Sequence, residues 1–173
     1  MPEADLLLSL AEIAGVFLGF GALISVRSAS TSDTFELTII RMVVETGIQV
    51  VVVALVPVVL GNYGITDHEV WLLSSLAFLA VVWGMWAMDM RVPETRALTV
   101  AMSRTRQAVS MVFFVPQQVA LVLVVLGLLP DQEPALYVTA AGLLLVFAAT
   151  FLLSLALPFG RPQPASEVAP HPA

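Results

Sequence analysis

Residues 6–26 read LLLSLAEIAGVFLGFGALISV and run straight into Arg27. Crossing the hydrocarbon core of a bilayer takes roughly 20 apolar residues as an α-helix. This run has that length and carries one ionisable group, Glu12. Working outward, the same pattern returns at 42–60, 70–88, 108–129 and 135–157. The chain is 59% hydrophobic and 12% charged, where soluble domains are about half apolar and about a quarter charged. What lies between the runs is too short for an ordinary soluble domain. The valines at 50–53 would favour a strand in water. In lipid every backbone group must bond within its own segment, so helix wins. The expected fold is therefore an all-α integral membrane protein with five transmembrane helices over residues 1–158. A proline-rich tail at 159–173 has few apolar anchors, and its composition is that of a disordered segment.

Orientation follows from the arginines. All seven basic residues are arginine, and basic and non-basic connections alternate along the chain. Arg27 and Arg41 share one connection, Arg91, Arg96, Arg104 and Arg106 another, and Arg161 follows the last run. Short loops rich in Lys or Arg stay in the cytoplasm. The expectation is an N-terminus outside, a C-terminus inside, and the cytoplasmic (inner) membrane of a bacterium. Residues 1–5 carry Glu3 and Asp5 and no basic side chain, so the first run reads as an uncleaved anchor rather than a signal peptide. Asp33-x-x-Glu36 and Thr66-x-x-Glu69 have capping-box form ahead of the second and third runs. Pro93 and Pro134 suit first helical turns of the fourth and fifth. Trp71, Tyr63 and Tyr137 fall at the outer boundary and Trp83 and Trp86 toward the inner one, as interfacial belt residues do.

Polar residues at depth are the candidates for chemistry, because ionisable groups within a bilayer are costly and mark functional sites. Glu12 shares a helical face with Ser9, Gly15 and Gly19. Ala11, Gly15 and Gly19 form a small-xxx-small series suited to close helix packing. Glu12 is then either a neutral acid making one interhelical hydrogen bond or a proton or cation site. On the second run Thr38, Arg41, Glu45 and Gln49 follow one stripe. Arg41 and Glu45 are spaced as an i,i+4 ion pair, and Glu45 and Gln49 are alternatively the lining of a polar vestibule. Pro57 and Pro116 are expected to kink their helices, and Gln117 and Gln118 follow Pro116 near the middle of the fourth run. Asp89 reads as solvated at the inner boundary, and His68 lies in a loop.

The stretch Leu10-Ala-Glu12-Ile-Ala-Gly-Val-Phe17-Leu-Gly19-Phe20 resembles the first helix of small bacterial multi-pass membrane proteins with an Ala-Glu…Phe-x-Gly-Phe pattern. The resemblance spans one helix and implies no activity, but it draws the eye to Glu12 and Gly19.

Several function classes drop out. There is no cysteine, so thiol catalysis and Cys-ligated metals are excluded. No zinc-protease motif, no membrane aspartate pair and no membrane histidine is present, so neither an enzyme nor a metal or other cofactor is expected. No basic cluster has the density of a nucleic-acid surface. Two classes remain. One is an oligomeric channel or transporter-like subunit, with Glu12, Glu45, Gln49, Gln117 and Gln118 along its pathway. The other is a non-conducting sensor or assembly component that binds lipid headgroups or a membrane-protein partner through Arg91, Arg96, Arg104 and Arg106.

Overall fold

Each apolar run folds as a long helix in the computed structural model, which describes residues 2–28, 34–65, 67–92 and 104–156. These are α1 (Pro2–Ser28), α2 (Thr34–Asn62), α3 (Asp67–Asp89), α4 (Arg104–Val125) and α5 (Glu133–Ala156), with a 3-10 turn at Pro130–Gln132 leading into α5. No strand occurs among the described residues. The helices α1, α2, α3 and α5 are long and apolar enough to cross a membrane. Large apolar side chains such as Leu6, Phe20, Leu23, Trp86, Val112 and Leu153 remain about half exposed or more, a surface suited to lipid rather than water. This is the architecture of an all-α membrane protein.

The fourth run departs from its expected bounds. The apolar part of α4 is shorter, Ser110–Val125, because the chain turns at Leu126 rather than continuing to 129. Gly127, at φ +60°, ends α4. Its N–H donates to Val124 O at 3.0 Å and the Leu128 N–H to Leu123 O at 3.2 Å. Gly64, at φ +81°, ends α2 in the same way, with Gly64 N–H on Gly61 O and Ile65 N–H on Leu60 O. Both are Schellman closures, in which a left-handed glycine lets two amides return to the last helical carbonyls. They place the α2–α3 and α4–α5 turns at one end of the bundle, called here the hairpin end. Arg41 and Arg91 lie at the opposite, arginine end. Asp33, Thr66, Arg96, the segment around Pro93 and the tail lie outside the described residues, as do the side chains of Arg104 and Arg106.

Helix α5 is central and packs against α1, α2, α3 and α4. Helix α1 lies mainly on α2 through Leu7, Ala11, Ala14, Leu18 and Gly21, a 4-3-4-3 spacing that keeps one seam facing its partner. The close approach is made by Gly47 of α2, where a Cβ would sit 2.9 Å from Leu18 Cδ2, and by Gly21, where one would sit 3.2 Å from Val44. Gly15 and Gly19 are exposed, and a Cβ at either would meet nothing within 4 Å. The face of Gly15 and Gly19 is thus left open within this chain, while the seam of Leu7, Ala11, Ala14, Leu18 and Gly21 meets α2.

Two expected belt residues belong to the core instead. Trp71 is 7% exposed and Tyr137 fully buried, and Tyr137 packs tilted against Trp71 and edge-on against Phe78. The reason lies in α2. Pro57 has no N–H, so the carbonyl four residues earlier, at Val53, loses its helical donor. The Tyr137 hydroxyl donates to that carbonyl at 2.6 Å. A buried phenol and a freed carbonyl each satisfy the other. Tyr63, Trp83 and Trp86 are exposed.

Candidate functional site

The polar residues of α2 and α4 meet along α3. Arg41 Nε donates to Glu45 Oε1 at 2.5 Å, and Arg41 Nη2 lies 3.5 Å from Asp89 Oδ1. Asp89 is thus an ion-pair partner rather than a merely solvated acid. One turn deeper on α2, Gln49 Nε2 donates to Met85 Sδ at 3.1 Å. On the other flank of α3, Trp83 Nε1 donates to Gln118 Oε1 at 3.0 Å. Trp83 also packs edge-on against Trp86 and Phe114. Asp89, Met85 and Trp83 therefore connect Arg41, Glu45, Gln49 and Gln118 into one polar band in the arginine-end half.

Its chemistry is that of one guanidinium shared by two carboxylates. Arg41 is half-exposed, while Glu45 and Asp89 are about a quarter exposed. One guanidinium thus faces two acids at the arginine end of the bundle. Gln117 is 2% exposed and, among the described residues, its amide nitrogen has no partner; the Gln118 amide nitrogen is also buried and unpaired there. Among the described residues no group of three His, Asp or Glu side chains converges as a metal site.

Glu12 stands apart from this band. It is exposed on α1, on the side away from the seam with α2. The expected burial beside a tight contact is not found within one chain. Only 17% of the apolar window of α1 is buried, against 33–39% in α2, α3 and α5. Helix α1 is the least covered span, and it carries the one acid in the middle of a span.

At the hairpin end the structure pairs two residues that the sequence reading did not join. His68 Nδ1 lies 2.6 Å from Glu133 Oε1, and the Glu133 side chain is 2% exposed. His68 opens α3 and Glu133 opens α5, so the pair ties the two hairpins one turn above Trp71 and Tyr137. An acid at the first turn of a helix is the only sequence hint for Glu133. A half-open cleft of about 240 Å³ lies nearby among α1, α2 and α3, lined by apolar side chains and Asn62. Arg91 is exposed in the turn after α3.

No protein-family model, no curated protein and no solved structure matches this chain.

Proposed function

We propose that the protein is a subunit of a homo-oligomeric channel or transporter in the bacterial cytoplasmic membrane, with five spans, the N-terminus outside and the C-terminus inside. The observation that carries this reading is Glu12. A carboxylate at the middle of a span is costly when it faces lipid, and such groups turn toward a protein interior or a water-filled cavity. Within one chain Glu12 faces outward, beside the open surfaces of Gly15 and Gly19. A second copy against this face would give the carboxylate a protein or aqueous environment and let the helices approach closely. Among the described residues the polar groups form a band in the arginine-end half and a separate His68–Glu133 pair at the hairpin end, and these do not join into a continuous path. A pathway therefore runs between copies, with Glu12 in one half and Glu45, Gln49 and Asp89 at the cytoplasmic mouth. Two carboxylates with one guanidinium favour a proton or a small cation over an anion.

The test is flux in proteoliposomes. Wild-type protein is expected to carry protons or monovalent cations above the rate of empty vesicles, and Glu12→Gln to lower that rate at least tenfold. Vesicles as tight as protein-free controls would overturn the reading. A reporter fused after residue 173 is expected on the cytoplasmic side; an external reporter would overturn the orientation.

A further inference from the structure

We infer that α4 bends at Pro116 and is the moving element of the bundle, whereas α2 is locked at Pro57. Each proline withdraws the donor for the carbonyl four residues earlier, Val53 in α2 and Val112 in α4. Val53 O receives the Tyr137 hydroxyl from α5. Among the described residues no side chain donates to the Val112 carbonyl. The surroundings differ in the same direction. Pro57 is buried, and α2 is held by α1, α3 and α5; Pro116 is exposed, and α4 packs chiefly on α3 and α5.

The residues after Pro116 supply a second, independent sign. Gln117 and Gln118 each hold a buried amide nitrogen without an acceptor among the described residues. Buried donors are nearly always paired in a settled conformation. A bend at Pro116 swings the amides of Gln117 and Gln118 relative to α3 and α5 and brings acceptors within reach, the Val112 carbonyl among them. Sharp bends of helices occur at prolines where the hydrogen-bond ladder is already broken. The form seen here has unpaired donors to satisfy, the break lies beside them, and among the described residues no brace holds it. Through Gln118 the bend also moves Trp83, whose indole is bonded to that side chain. This inference concerns motion alone and stands whether or not anything is transported.

The chain has no cysteine, so spin labels can be placed at will in the full-length protein in lipid nanodiscs. Ala108→Cys with Val122→Cys flanks Pro116, and Ile48→Cys with Asn62→Cys flanks Pro57; all four sites are exposed. In each pair the sites are 14 residues apart, about 21 Å along an ideal helix. Electron–electron double resonance is expected to give one narrow distance in α2 and a distribution at least twice as broad in α4, narrowed by Pro116→Ala. An α4 distribution as narrow as that of α2, or a broad one that Pro116→Ala leaves unchanged, would overturn the inference. Should Pro116→Ala fail to fold, the comparison of the two pairs in the native helices decides it.

Discussion

Helices α2 and α4 contain the same interruption and meet it differently. In α2 the carbonyl freed by Pro57 is taken by Tyr137, a residue 84 positions away on the central helix. In α4, among the described residues, the carbonyl freed by Pro116 has no such donor, and two amide nitrogens nearby are buried unpaired. A proline in a spanning helix is therefore not a kink by itself. What matters is whether a neighbouring helix replaces the lost hydrogen bond, which depends on what packs there. Pro57 lies inside the bundle within reach of α5, and Pro116 lies on its surface.

The comparison is broken most severely by Tyr137→Phe. It leaves the Val53 carbonyl buried without a donor, and unsatisfied buried groups cost about 1–3 kcal/mol. Reversible unfolding in mixed micelles measures it. In a Pro57→Ala background the helix supplies its own donor, so the same change is expected to cost less than half as much; equal costs in both backgrounds would show that Tyr137 does not brace Pro57. Next comes Pro116→Ala, expected to raise stability by about 1 kcal/mol, since one hydrogen bond is restored and no brace is lost. A loss of that size would mean the proline is accommodated by its surroundings as Pro57 is. Gly47→Ala is expected to cost about 1 kcal/mol, because Leu18 must move from a site a Cβ would occupy. Gly19→Ala, into open space, leaves the fold of the single chain unaffected. Of the changes with a measurable cost the smallest is Gln118→Leu, about 0.6 kcal/mol, typical of an interhelical hydrogen bond in lipid. It is read best as a shift in tryptophan emission in a chain lacking Trp71 and Trp86.

The helices were legible from the apolar runs because lipid leaves the backbone little alternative to helix. Arg41 and Glu45 were legible as neighbours because both lie on one helix at a fixed spacing. Asp89, Met85 and Trp83 were not, since their partners depend on how α3 registers against α2 and α4, which no local pattern encodes. Gly64 and Gly127 carried a signal that was present and unread: one glycine four residues past the second run and one near the end of the fourth, where a left-handed closure is needed. On α1 the local pattern leaves two faces open as packing surfaces. The spacings of Leu7, Ala14 and Gly21 and of Glu12, Gly15 and Gly19 are both helical, and small residues suggested the tighter contact. Within the chain the face of Leu7, Ala14 and Gly21 is the buried one, and which face a helix buries depends on how it registers against α2 and α5.

That packing leaves Glu12, Gly15 and Gly19 facing outward, and the functional proposal rests on what covers them. The mass of the intact protein in lipid nanodiscs tests this most directly. The account predicts a defined multiple of the 18.5 kDa chain, reduced to the single chain by replacing Gly15 and Gly19 with leucine. A strict 18.5 kDa species for the unaltered protein would contradict it.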